Sequence, residues 1–255
     1  MRREDGWSDR PMWDDPYTRP RSYRVSFGAG ANDPYTQPRR KAGVLKFSAT
    51  ELNQLFHATI ILTLAFGIHF ASTSNWGLIQ YTILMAFPAV ASGFVLHEMG
   101  HKYFAQRYGA WSEFRAYYMG LMFALMLSPM IIFAAPGAVM ISGRLRKKEI
   151  GILSLAGPMV NLGIVLVCIP AYVFLTAGHF GTIIGMDVDP DTSAMGLLAG
   201  SIFYMVWINI LLAAFNLLPV PPLDGSKVIR WNVGVYLAAF IIVAAVADAL
   251  LGVGA

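Results

Sequence analysis

From residue 52 onward the chain alternates long apolar runs with short polar breaks. Runs 52–71, 77–104, 150–176, 195–218 and 233–251 are each long enough to cross a bilayer's hydrocarbon core, about 30 Å thick, as a helix. Ser48 and Glu51 fit a capping box ahead of the first run. A further run, 120–141, has sufficient length, but Pro129, Pro136 and Gly137 interrupt it. Arg115 precedes it, and Arg144, Arg146, Lys147 and Lys148 follow. Basic flanks favour the cytoplasmic side, so this run is expected to enter and leave from one face, as a re-entrant segment or tight hairpin. Non-helical backbone at membrane depth must then lie against protein or a cavity. The pattern predicts an all-α polytopic membrane protein with about five to six transmembrane helices.

Composition agrees. Of the 255 residues, 56% are hydrophobic and 13% charged, where soluble domains carry about 25% charge. Residues 1–45 are rich in Arg, Asp, Pro, Tyr and Gly without apolar periodicity, which predicts a disordered basic tail. Its segment 15–21, DPYTRPR, nearly repeats at 33–39 as DPYTQPR, and two copies do not build a solenoid. Residues 46–255 form the expected membrane domain. Ten basic residues precede the first run, placing the N-terminus in the cytoplasm and the protein in the plasma membrane. A basic tail beside a membrane marks the cytoplasmic side rather than a nucleic-acid partner. Residues 177–194 hold Asp187, Asp189 and Asp191 but no Lys or Arg, as expected of an external loop. That loop lacks the Gly and distal Glu of a calcium-binding hand. The single cysteine, Cys168, excludes an intrachain disulfide and a Cys metal cluster. The first 40 residues contain no apolar stretch that reads as a signal peptide.

The second run carries the chemistry. It is uncharged from Gly77 to Leu96 and then reads His97-Glu98-Met99-Gly100-His101. Residues four apart share a helix face, so His97 and His101 can offer two imidazoles to one metal ion. Glu98 can reach the open side of that ion without being a ligand, the arrangement for a zinc-bound water with a carboxylate base. An ionisable group at membrane depth is costly and signals function. A catalytic zinc needs a third protein ligand. Glu113 and Glu149 sit in charge-flanked cytoplasmic contexts, whereas His179 and the loop aspartates fall on the opposite side. Asp248 lies toward the outer end of its span. Asp224 follows a span that returns inward and so ends level with His101. Pro219, Pro221 and Pro222 exclude a regular helix before it, and Gly225 permits close backbone approach.

The motifs HEMGH, AGPMVN and NLLPVPPLDG, in that order, resemble the site-2 protease family of intramembrane zinc metalloproteases, and FAAPGAVMISG looks most like its archaeal members. The resemblance covers roughly residues 46–232. It implies a three-helix catalytic core within about residues 77–232, one zinc per chain bound by His97, His101 and Asp224, and water activation by Glu98. In that light Asn161 and Asn216 are candidates for binding the substrate backbone or stabilising the oxyanion. The implied activity is hydrolysis of peptide bonds within or near transmembrane segments of membrane-protein substrates, with the active site toward the cytoplasm. The alternatives are a membrane zincin with a soluble active-site lobe, disfavoured by the scarcity of Glu after Glu98, and a non-proteolytic metal-binding scaffold or transporter. The chain shows no repeated halves of the kind transporters use.

Overall fold

The computed structural model describes residues 45–131, 136–176 and 194–251. The expected disordered tail, except its last residue, its near-repeat and the acidic loop lie outside the described residues.

Five helices are long and apolar enough to cross a membrane. The first is α1, Ala49–Thr73. The second span runs from Trp76 to Arg107. It opens with a short 3-10 turn and continues as α2, Ile79–Val90, a π-helical turn, Ala91–Val95, and α3, Leu96–Arg107. The others are α5, Lys147–Leu175, α6, Ala194–Asn216, and α8, Val233–Leu251. A short helix, α7, Asp224–Trp231, bridges the last two.

Among the described residues, run 120–141 holds no helix long enough to span. α4, Tyr118–Leu127, has 10 residues, about 15 Å of rise against the roughly 30 Å of a bilayer core. The chain then returns as β2, Gly137–Ser142, antiparallel to β1, Trp111–Ala116, with Trp111 opposite Ser142 and Ala116 opposite Gly137. The mostly helical fold therefore carries a two-stranded sheet beside its second span. The turn into β1 follows from Gly109, which takes φ 75° after the helix end. There the amides of Gly109 and Ala110 close back on the carbonyls of Gln106 and Ala105.

Two apolar clusters share α6. One joins it to α1, α2, α4 and β1 through residues such as Phe66, Phe70, Phe114, Leu121 and Ile208. The other joins it to α5 and α8 through Val165, Ile210 and Val243.

The sheet is fastened to the helices by charge. Ser48 caps α1 by accepting from the Glu51 amide at 3.1 Å, which is half of the expected capping box. The other half is missing because the Glu51 carboxylate is used elsewhere. Lys102 Nζ donates to both its oxygens, at 2.9 and 2.8 Å, and to the Ser112 carbonyl at 2.9 Å. The Phe114 amide donates to Glu51 Oε1 at 2.9 Å, and the Ala116 amide to Gln54 Oε1 at 2.9 Å. Both Glu51 and Lys102 are fully buried. The outward-facing groups of β1 thus bond to side chains of α1 and α3 instead of a third strand. At α5 the carboxylate half of such a box is present, where Glu149 accepts from the Arg146 amide at 2.8 Å.

Removing one partner of a buried ion pair leaves an uncompensated charge, at a cost of about 3–5 kcal/mol. Glu51→Leu and Lys102→Met should each lower stability on that scale, and the double variant by much less than their sum. Thermal or denaturant unfolding of the purified protein in detergent checks this, and additive losses would contradict it.

Candidate metal centre

His97 and His101 lie one turn apart on α3 and face α5 and α7. Their rings meet edge to face, with centroids 4.7 Å apart. The two Nε2 atoms are 3.1 Å from each other. Asp224 Oδ2 lies 2.9 Å from His101 Nε2 and 3.5 Å from His97 Nε2. All three side chains are buried. Asp224 reaches this point because α7 starts hard against the end of α6. A Cβ on Gly225 would stand 2.1 Å from the Leu217 carbonyl oxygen, so only glycine permits that approach. At the other end of α7 the Trp231 ring packs on α5 at Gly151.

The donor set fits zinc. His97 Nδ1 is 2.6 Å from Asn161 Oδ1, and His101 Nδ1 is 2.7 Å from the Leu153 carbonyl oxygen. Oxygen acceptors at both Nδ1 atoms place the ring protons there, leaving the Nε2 lone pairs turned inward. Two lone pairs and a carboxylate oxygen converging on one point call for positive charge between them. Tetrahedral zinc with Zn–N bonds of about 2.0–2.1 Å needs donors about 3.3 Å apart, close to the observed separations. The space is kept by Gly157, where a Cβ would stand 2.6 Å from His97 Nε2 and 2.7 Å from His101 Nε2. His97, His101 and Asp224 are the one group of three or more such side chains with metal-ligand geometry among the described residues.

Lys227 Nζ donates to the second oxygen, Asp224 Oδ1, at 2.9 Å. Burial works against the Asp224 carboxylate, but the imidazoles of His101 and His97 and the Lys227 ammonium hold its carboxyl well below the usual range. Glu98 is buried, with Oε2 lacking a hydrogen-bond partner among the described residues. Its carboxylate interacts electrostatically with His97, His101, Asp224 and Lys227.

The remaining candidates are placed differently. Asn161 is fully buried. Its amide donates to the Gly93 carbonyl at 3.0 Å and to Asn209 Oδ1 at 3.1 Å. Both amide hydrogens are therefore engaged, and none is left for a substrate oxyanion. Asn216 ends α6 and donates back to the Leu212 carbonyl at 2.9 Å, with its side chain partly exposed.

A family model, that of peptidase family M50, matches residues 85–238, which include every residue of this centre. The chain belongs to peptidase family M50. It is 35% identical over 197 residues, 74% of its length, to a protein of Methanocaldococcus jannaschii provisionally named a zinc metalloprotease, covering 88% of that protein. A second zinc metalloprotease of the same organism is 27% identical over 176 residues, 68% of this chain and 40% of the relative. No solved structure matches the chain. This member of family M50 is a multi-pass membrane zinc metalloprotease, as the resemblance of its three motifs implies.

Two contributors escaped the sequence reading. Gly157 lies inside the recognised AGPMVN segment, but nothing in that segment says which glycine faces the histidines. Asn209 was a visible signal, an amide within the apolar run of α6.

Gly157→Ala puts a methyl carbon where the metal would sit. Zinc content of the purified variant should fall well below one per chain while helix content by circular dichroism stays unchanged. Full zinc occupancy would show that the cradle lies elsewhere.

Proposed function

We propose that the protein hydrolyses peptide bonds within or near transmembrane segments of membrane-protein substrates, using zinc held by His97, His101 and Asp224 with Glu98 as general base. The observation that carries this is the convergence of three ligand atoms beside the buried, unpartnered carboxylate oxygen of Glu98, with His97, Glu98 and His101 on a helix long enough to cross a bilayer. A transporter or scaffold would have no use for such a carboxylate.

Zinc, when bound, supplies Lewis-acid polarisation of the scissile carbonyl and acidifies water at its open position. Glu98 takes a proton from the attacking water and delivers it to the leaving nitrogen, so one water and one peptide bond become a carboxylic acid and an amine. Lys227 holds Asp224 Oδ1 and so presents Oδ2 to the centre. Asn216, at the partly exposed end of α6, is the remaining amide candidate for the substrate backbone or oxyanion. A substrate helix satisfies its own amides, so its scissile stretch must unwind and find new partners. The free edge of the hairpin suits that need. Phe114 sends its amide to Glu51, so Phe114, Ser112 and their opposite residues Val139 and Ile141 turn their backbone groups away from the partner strand. α1 and α3 cover the β1 side, which leaves the β2 edge for an extended substrate.

Lys102, Arg107, Arg115, Arg144, Arg146, Lys147, Lys148, Lys227 and Arg230 lie at or just beyond the site ends of their segments. The positive-inside rule supports a cytoplasmic active site and N-terminus in the plasma membrane. The membrane domain occupies 46–255, with a catalytic core of about 77–232.

Purified, zinc-loaded protein in liposomes should cut a single-span model substrate within its membrane segment. Glu98→Gln should retain one zinc and lose at least about 100-fold in rate, while Asp224→Ala should lose both zinc and cleavage. Undiminished cleavage by Glu98→Gln would remove Glu98 from the reaction.

Proline is tolerated on an edge strand but cannot donate outward. Ile141→Pro should therefore keep zinc and lower cleavage of the same substrate. Wild-type rates from that variant would end the proposal that substrate pairs with β2.

A further inference from the structure

The two histidines are held in different ways. His101 gives its Nδ1 proton to a backbone carbonyl of α5, whereas His97 gives its own to a side-chain amide, Asn161. An amide is ambiguous, since either end can face a neighbour, unless something else decides its orientation. Here something does. The other end of Asn161 meets the Gly93 carbonyl at 3.0 Å, and a carbonyl only accepts. That end must be the NH2 group, so oxygen faces His97, and His97 must be protonated on Nδ1. The second hydrogen of the NH2 group goes to Asn209 Oδ1 at 3.1 Å. Asn209 is fixed by the same logic, its NH2 group donating to the Met205 carbonyl at 2.8 Å.

We propose that Asn161 and Asn209 are positioning residues for the metal centre, forming a two-amide relay, anchored on the π-helical turn of the second span, that sets the tautomer and ring orientation of His97. The proposal rests on the reading of His97 as a zinc ligand. The π turn, Ala91–Val95, ends one residue before the helix that carries His97. A widened turn offsets the i→i−4 ladder, and such turns concentrate at functional sites. Gly93 lies inside it and hands its carbonyl to Asn161. Gly93 also lets α6 come close, since a Cβ there would stand 3.3 Å from Asn209 Nδ2 and 3.1 Å from Leu212 Cδ1. Both asparagines are fully buried among apolar spans, where an amide left unpaired is costly. Interhelical hydrogen bonding alone would need only some partner on a neighbouring helix. This chain of amides ends instead on the outer nitrogen of a metal-binding ring, the place where partners that orient metal-bound histidines act.

The test uses the full chain in detergent. Zinc affinity is read by competition with a chelator of known affinity, ligand geometry by the visible absorption of the cobalt-substituted protein, and folding by thermal unfolding without metal. Asn161→Leu removes the acceptor and should weaken zinc by about 10–100-fold and change the cobalt spectrum. Asn161→Asp keeps an oxygen for His97 Nδ1 but gives up the donors to Gly93 and Asn209, so it should fall less far than Asn161→Leu in both. Asn209→Leu, which leaves one Asn161 amide hydrogen unpaired and removes its support from α6, should give a smaller loss than Asn161→Leu. Val165→Ala, a fully buried packing change on α5, should lower the unfolding temperature without moving zinc affinity or spectrum. A folded Asn161→Leu with wild-type affinity and spectrum overturns the proposal, as does an Asn161→Asp variant that falls as far. Should Asn161→Leu not fold, Asn209→Leu with unchanged affinity and spectrum overturns the relay by itself. A wild-type protein that binds no zinc overturns the underlying site reading instead, before any variant is compared.

Discussion

A polar group between membrane-spanning helices cannot borrow hydrogen bonds from water, so each one placed there has to be matched from within the chain. His97, His101 and Asp224 place two lone pairs and a negative charge at one buried point, and much of the surrounding structure reads as the matching. The outer nitrogens of the rings are tied to α5, through the Leu153 carbonyl and the Asn161 amide. The outer oxygen of Asp224 is tied to Lys227. At the centre, the point between these three side chains and one oxygen of Glu98 are left without a hydrogen-bond partner among the described residues, which is where a cation and a water would act.

Bringing those groups together is a matter of backbone approach more than side-chain reach. α5 must lie close enough to α3 that nothing larger than hydrogen fits at Gly157, and α7 must begin against the last carbonyls of α6, at Gly225. The prolines between α6 and α7 break the helix so that Asp224 comes from a new direction. Trp231, packed on α5, holds the far end of α7 to the same helix that holds the histidines. Asp224 is thereby positioned by α5 as well as by the helix that precedes it.

How much of this could be read from sequence depended on how local the signal was. The spans follow from apolar runs, and all five appear as helices. The His pair follows from the period of one helix. Asp224 was reachable by elimination because topology placed other carboxylates at the wrong depth or in charged surroundings. Glu51 shows where that reasoning stops. Three residues after Ser48 it looks like the second half of a capping box, yet its carboxylate binds Lys102 and the Phe114 amide, partners far along the chain that no local pattern announces. Asn161 shows the same limit. Its motif marked it as functional, but only the positions of Gly93 and Asn209 reveal that its donors are already committed. Residues 110–141 were foreseen as a re-entrant excursion with an edge strand to offer, and which residues pair became evident only from the register of 111–116 with 137–142.

The placement of Lys102 ties these observations together. It directly follows His101, and successive helical residues point about 100° apart. One turn of α3 therefore faces α5 and α7 with its histidines and faces α1 and β1 with its ammonium. That ammonium holds the Ser112 carbonyl and the carboxylate that receives the Phe114 amide. Both contacts take up the β1 groups that point away from β2. The same turn that positions the histidines thus closes one edge of the hairpin and leaves the other open. Any shift of α3 that disturbed the histidines would also move the strand. Conversely, a peptide drawn onto the β2 edge would be registered against the metal centre through β1 and the buried Lys102–Glu51 pair that fastens it.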